Sequence, residues 1–303
     1  MKIAAIDIGS NAIRLLIEEI HLDGSSYYIE KVSLTRVPVR LGEDVFTKGK
    51  IGKEKMRQLV KTMRAFWYLM DVHHVEYFRA CATSAMRESS NKKEVLDRVE
   101  KEANVSIEIL SGDEEANLIF ENSFVQNLNV ANNYLYIDVG GGSTELTLIK
   151  HGKRIKGKSF EIGTVRMLNA AVSDELWEKA GRWIQSALEQ DEKVVGIGTG
   201  GNINTIFKNQ GKKMTEVLSY KELQEQYDLL RSYSYEQRIT KLKLKPDRAD
   251  VIIPACEIYL KIARYAGIQE ILVPKIGLAD GIILDIFNNW KKTQNLKVGA
   301  VAN

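Results

Sequence analysis

The run Ile137-Asp138-Val139-Gly140-Gly141-Gly142-Ser143-Thr144-Glu145 concentrates more chemistry than any other stretch of this chain. Three consecutive glycines after an apolar strand let backbone N–H groups approach an anion with no Cβ in the way, and the Ser143 and Thr144 hydroxyls add donors. Such a turn is a phosphate cradle. Asp138 at the strand end and Glu145 beyond the turn are hard oxygen donors, suited to Mg²⁺ or another divalent cation held against phosphate oxygens. An echo stands near the N-terminus, where Asp7-Ile8-Gly9-Ser10-Asn11 offers a strand-end carboxylate, a permissive glycine and two polar donors. Asp7 therefore joins Asp138 and Glu145 as a candidate metal ligand. Ser10 and Asn11 join Gly140, Gly141, Gly142, Ser143 and Thr144 as candidate phosphate contacts.

Two further constellations involve helices. In Ser111-Gly112-Asp113-Glu114-Glu115, Ser111 and Glu114 have the spacing of a capping box, which assigns Glu114 to the helix start. Glu115 points about 100° further around the helix. It is left to act as a base that takes a proton from an attacking water. Thr83, Arg87 and Asn91 fall at i, i+4 and i+8, on one face of any helix that runs through all three, and an Arg fork there can grip a phosphate. Residues 198–202 (GTGGN) read as a strand-to-helix turn. The basic runs 150–158 and 241–248 read as solvated faces or as a path for a polyanion. His73 and His74 are adjacent and diverge on any regular element, so they do not suit a metal.

The elements that must hold these residues alternate. Strands are expected at 2–8, 13–20, 27–34, 75–81, 105–110, 193–198 and 269–274, with a further short apolar run at 39–42. Helices are expected at 53–70, 84–89, 91–103, 112–127, 173–190, 202–209, 219–230, within 234–267, and at 277–290, with Pro254 in the first turn of its helix. The alternation predicts α/β layers. The pattern at 4–9 returns at 134–140, each copy followed by a polar turn and a second strand, which predicts a duplicated fold. The polar, Asn-rich stretch 122–133 precedes the second copy and marks a domain boundary.

The length of 303 residues gives room for about two domains. A net charge of +3, from 43 Lys+Arg and 40 Asp+Glu, gives no overall footprint for DNA or a membrane. The cysteines, Cys81 and Cys256, stand apart from any CxxC spacing, so neither a disulfide framework nor a zinc site is expected. Asp7 interrupts the first apolar run before it reaches signal-peptide length, and a cytoplasmic location is expected.

The segments IDIGSN (6–11) with Arg14, ATSAMRESSN (82–91), IEILSGDEEANLIF (107–120) and IDVGGGSTEL (137–146) together resemble the exopolyphosphatase/guanosine pentaphosphate phosphatase (Ppx/GppA) family. EIGTVRM (161–167), GIGTGG (196–201) and the stretch ending in GLADG add to it. The resemblance implies the actin-like ATPase fold: two ribonuclease H-like α/β domains, each a mixed sheet flanked by helices, with a cleft between them. The expected domains are 1–125 and 126–303, the last helix being able to pack back on the first. It implies hydrolysis of a terminal phosphoanhydride with Mg²⁺, Glu115 as catalytic base, Asp138 and Glu145 around metal and water, and Ser10, Asn11, Arg14, Arg87 and Gly140 to Thr144 on phosphate.

Inorganic polyphosphate is the expected substrate and guanosine pentaphosphate the alternative. A sugar- or acetate-type kinase and a non-hydrolysing polyphosphate or alarmone sensor are the readings from other classes. Relatives suggest a homodimer. Ala12, Ala279 and Pro274-Lys275 depart from residues common in the family. With the sequence ending near 303, the helical C-terminal extension of longer relatives is expected to be absent and the polyphosphate track shorter.

Overall fold

The structure, a computed structural model, describes residues 1–24, 26–120, 128–189, 193–213, 216–294 and 299–300. It divides into two compact units, Met1–Gln126 with Gly277–Asn303, and Asn127–Ile276. The expected boundary stretch and the end of the 112–127 helix fall partly on residues 121–127, outside the described residues.

The first unit is built on β1 (Lys2–Ile8), β2 (Ile13–Asp23), β3 (Ser26–Val37), β4 (Tyr77–Ala82) and β5 (Ile107–Ile109). The second is built on β6 (Asn133–Val139), β7 (Thr144–Lys150), β8 (Lys153–Phe160), β9 (Val194–Thr199), β10 (Val217–Ser219) and β11 (Glu270–Leu272). A two-residue β12 (Gly299–Ala300) returns to β3. Sheet one runs β12-β3-β2-β1-β4-β5 and sheet two β10-β11-β9-β6-β7-β8. Read from the third strand of each, β3-β2-β1-β4-β5 and β8-β7-β6-β9-β11 are the same order. In both, an antiparallel meander is followed by two strands parallel to the first. The duplication expected from the echoed motifs is therefore present at the level of topology.

Each sheet is buried by helices whose apolar residues recur at helical spacing. In the first unit Met56, Leu59, Val60, Met63, Phe66 and Met70 of helix Lys53–Val72 join one core with Ile6, Ile8, Ile13, Leu15 and Ile17. Each such side chain contributes roughly 1.5–3 kcal/mol when fully buried. Helix Leu278–Thr293 belongs to the same unit: Phe287 meets Tyr27 edge-on at 4.7 Å, and Arg79 of β4 is held between Glu108 and Asp285. In the second unit Ile137, Val139 and Leu146 share a core with Trp177, Ile184, Ile203 and Tyr259. Among the described residues no helix is long and apolar enough to cross a membrane.

Two local expectations are corrected. The apolar run 39–42 does not form a strand. Helix Leu41–Lys48 starts there instead, burying Leu41 and Val45 one turn apart, with Glu43 and Asp44 in its first turn and Gly49 at φ 70° as its C-cap. Thr83, Arg87 and Asn91 do not share a helix face. Helix Ser84–Glu88 ends at Ser89, whose backbone turns extended, and Asn91 pairs with both the N–H and the C=O of Ile51.

Glu18, on β2 at a β-bulge, is 6% exposed and stands opposite Lys31. Lys31 Nζ lies 3.7 Å from Asp280, which accepts the Gly277 N–H at 2.9 Å. Burial, and then the Asp280 charge, push the Glu18 carboxyl from its ordinary 4.5 up to about 7, with Lys31 opposing. Folded Glu18 keeps a proton that the unfolded chain has lost, so stability falls as pH rises from about 4.5 through about 7. Glu18→Gln should flatten that fall by up to ~3 kcal/mol, at about 1.4 kcal/mol per pH unit, in urea unfolding between pH 5 and pH 8. At Gly281 a Cβ would lie 2.1 Å from the Leu118 carbonyl oxygen. Gly281→Ala should therefore cost about 1–3 kcal/mol or more, read as a lowered urea midpoint.

Candidate active site

The glycine turn of the second unit is a hairpin loop whose shape is set by what holds its carbonyls. Asp138 on β6 pairs directly with Glu145 on β7, so the antiparallel register sets two carboxylates side by side on one face. The loop between them closes with Gly140 N–H donating to the Ser143 carbonyl at 2.9 Å. The Gly140 carbonyl then accepts Thr164 N–H at 3.0 Å, and Gly141 accepts Val165 N–H at 2.8 Å and Arg166 N–H at 3.3 Å. Gly142 accepts Arg166 Nε at 2.5 Å. Three donors of helix Thr164–Leu168 that have no partner within the helix are satisfied in this way.

Peptide planarity supplies the consequence. In a trans peptide the C=O and the following N–H point in opposite directions. With the carbonyls of Gly140, Gly141 and Gly142 all turned toward helix Thr164–Leu168, the N–H groups of Gly141, Gly142 and Ser143 turn to the other side. Successive N–H groups presented together make an anion-binding concavity. Gly163 permits the close approach, since a Cβ there would lie 2.4 Å from the Gly142 carbonyl carbon and 2.5 Å from the Gly141 oxygen. Both hydroxyls assigned to phosphate donate within the protein: Ser143 to Glu145 Oε1 at 2.7 Å, and Thr144 to the Ile162 carbonyl at 2.6 Å. Ser159 also donates to Glu145 Oε1, at 2.8 Å.

The first unit repeats the device in outline. Gly9 N–H donates to the Ala12 carbonyl at 3.1 Å, while the Ser10 and Asn11 carbonyls accept from the N–H groups of Gly42 and Arg40. Ser10 Oγ lies 2.8 Å from Ser84 Oγ. Asp7, 6% exposed, pairs in register with Arg14 and accepts its Nη1 at 2.5 Å. Arg14 therefore occupies, in this unit, the position that Glu145 holds in the other, and its charge bears on Asp7.

Glu115 enters this unit from helix Gly112–Phe120. Glu114 accepts the Ser111 N–H at 2.7 Å, and Ser111 Oγ accepts the Glu114 N–H at 3.2 Å, the expected capping box. Hydrogen bonding from the Ser111 backbone N–H, and then from the Ser111 side chain, holds the Glu114 carboxyl below its ordinary range. Glu115, one residue on, is 8% exposed, and Arg87 Nη1 lies 3.3 Å from its Oε2 while also donating to the Leu110 carbonyl at 2.5 Å.

Among the described residues no three of His, Cys, Asp or Glu converge into an all-protein cation cage. The paired carboxylates Asp138 and Glu145 do fit Mg²⁺, which keeps several waters and takes one or two carboxylates together with substrate oxygens. Behind them Tyr259, fully buried, sets its hydroxyl 2.5 Å from the Thr199 carbonyl and 3.1 Å from that of Ile137, tying β9 to β6 at the strand ends. Burial, and then the Asp138 charge, hold this phenol well above its ordinary range.

The model of the Ppx/GppA phosphatase family matches residues 20–290. This chain belongs to that family. The chain is 27% identical to Exopolyphosphatase 2 of Mycobacterium tuberculosis over 94% of this chain and 98% of the relative. It is 31% identical to the bifunctional 3-dehydroquinate synthase/phosphatase of Fusobacterium nucleatum over 94% of this chain, which spans 46% of that longer protein. An exopolyphosphatase structure from Cytophaga hutchinsonii shares the fold at a TM-score of 0.80 and 24% identity, over 99% of this chain and 100% of the other. Membership agrees with the hydrolase class expected from the motifs.

Within the units, the structure brings Asp7 to Arg14, Ser10 to Ser84, Arg87 to Glu115, and Asp138 to Glu145 with the glycine turn. Sequence reasoning missed Gly163, Arg166, Ser159 and Tyr259. The segment EIGTVRM was visible as a motif, but nothing in it showed that it grips residues more than twenty positions earlier. The basic run 150–158 lies on the β7–β8 hairpin, where Lys156 and Lys158 sit over the rings of Trp183 and Phe160. In the other run, Arg248 donates to Asn202 at 2.8 Å. Gly163→Ala should displace the glycine turn and cost about 1–3 kcal/mol in unfolding, read as a lowered urea midpoint.

Proposed function

We propose that this chain is an exopolyphosphatase, releasing orthophosphate from the end of inorganic polyphosphate. The observation that carries the reading is Glu115: a carboxylate buried in the first turn of its helix, beside an arginine, while its neighbour Glu114 performs the capping. A buried base next to a phosphate-binding arginine suits removal of a proton from water. In the proposed step Glu115 takes that proton as the water oxygen forms a bond to the terminal phosphorus. The bridging P–O bond breaks, and its electron pair leaves with the shortened chain.

In the second unit the Gly141, Gly142 and Ser143 amides would stabilise negative charge on a phosphoryl group, and in the first Arg87, Arg14, Ser10 and Asn11 are assigned to phosphate oxygens. Asp138 and Glu145 would hold Mg²⁺, which when bound would neutralise phosphate charge, while Asp7 is engaged by Arg14 in its own unit. Phosphoryl transfer depends mainly on positioning and charge stabilisation, so this set suffices. The Mycobacterium relative, matched along nearly its whole length, is named an exopolyphosphatase, which supports polyphosphate as a substrate, and guanosine pentaphosphate stays the alternative.

Phosphate release from long-chain polyphosphate, guanosine pentaphosphate and ATP should be measured side by side with Mg²⁺. Polyphosphate should be the best substrate, and Glu115→Gln should lower its turnover by roughly 10²–10⁴-fold. Full activity in that variant would remove Glu115 from the mechanism. Preference for pentaphosphate would transfer the same site to the nucleotide, and release from none of the three would favour a sensor.

A further inference from the structure

Arg166 is 6% exposed, and nothing in the sequence motifs gave it a role. Its Nε donates to the Gly142 carbonyl at 2.5 Å, and its backbone N–H lies 3.3 Å from the Gly141 carbonyl. We propose that Arg166 is a positioning residue that fixes the Gly142–Ser143 peptide, so that the Ser143 N–H faces a bound phosphate. The inference rests on the phosphate-binding reading of the glycine turn.

The physical need is specific. Glycine has no side chain to bias its peptide planes, and a Gly-Gly-Gly turn can exchange among several orientations at little steric cost. Backbone donors from Thr164, Val165 and Arg166 pin the first two planes, 140–141 and 141–142. The third, 142–143, is pinned by the Arg166 side chain. A bond from a charged donor is about twice as strong as one between neutral groups, so the guanidinium holds this carbonyl better than a neutral amide could. The first unit shows the contrast. There the corresponding Asn11 carbonyl is held by the backbone N–H of Arg40, in a turn with one glycine instead of three. The more mobile turn has the stronger side-chain clamp.

Arg166 therefore acts through Gly142 and not by placing its own charge on phosphate. Arg166→Gln keeps an uncharged –NH₂ donor group, and Arg166→Met keeps neither donor nor charge. The probe is inorganic orthophosphate, titrated calorimetrically into the full chain, alongside KM and kcat for polyphosphate and thermal unfolding. Positioning predicts that Arg166→Met weakens orthophosphate binding and raises KM by about 10–100-fold, as expected on losing a supporting contact, while Arg166→Gln recovers most of that loss.

Equal losses in both variants would mean that the charge itself meets phosphate, and would overturn the proposal. Wild-type orthophosphate affinity in Arg166→Met, or a lowered unfolding temperature with KM unchanged, would overturn it too. Should Arg166→Met fail to fold, Arg166→Ala replaces it, with the amide ¹⁵N–¹H signals of Gly141 to Ser143 as readout. Shifted signals with weakened orthophosphate binding support the clamp, and wild-type signals overturn it. A wild-type chain that binds orthophosphate but releases none from polyphosphate would remove the proposed activity and leave the clamp to be judged on binding alone. A wild-type chain that does not bind orthophosphate overturns the clamp.

Discussion

The structure of the site depends on one constraint: the carbonyl groups of a hairpin turn must be held so that its amides face away from them. In the second unit, donors from Thr164, Val165 and Arg166 turn the carbonyls of three consecutive glycines toward one short helix. In the first, Arg40 and Gly42 do the same for Asn11 and Ser10. Each gripping segment follows the third strand of its meander. The same topology therefore produces the same device twice, and differences between the copies lie in side chains laid over a common backbone arrangement.

Those differences matter chemically. Seven residues after each strand-end aspartate, one copy has Arg14 and the other Glu145. Across an antiparallel pair these residues sit beside Asp7 and Asp138 respectively, giving one ion pair and one pair of like charges. An ion pair is satisfied as it stands. Two adjacent carboxylates repel unless a cation or proton donors compensate them, and here Ser143 and Ser159 donate to Glu145. The duplication has thus separated a charge-neutral turn from an acidic one suited to a divalent cation.

The scaffold around the first copy depends on residues far apart in the chain. Arg79, Glu108 and Asp285 join β4, β5 and the final helix of the unit, and Gly281 lets that helix reach the backbone of the Glu115 helix at Leu118. Buried Glu18, exposed Lys31 and half-buried Asp280 add a polar junction between the hairpin and the same final helix. The helix that carries Glu115 is thereby packed against the final helix of its unit.

Much of this was legible in the sequence because it is local. The strands at 2–8 and 133–139, the helix at 53–72, the capping box at Ser111 and the echo of Asp7 in Asp138 depend on periodicity, turn chemistry and spacing over a few residues. The helix at 41–48 was missed because four apolar-rich residues fit a short strand as readily as a helix start. The break after Glu88 was expected, but that Asn91 leaves the face of Thr83 and Arg87 was not, because the pull on it comes from Ile51, forty positions away. By itself the sequence determined which residue types flank each glycine turn, that the turns occur twice, and that one carboxylate of the Glu114–Glu115 pair is taken by the helix start. Only the tertiary structure decided which way the glycine peptides face, that Arg166 and Gly163 hold them there, and that the chain from Gly277 onward returns to the first unit. Glycine carries no side-chain preference from which orientation can be read, and a hydrogen bond between positions 142 and 166 leaves no local pattern at either end.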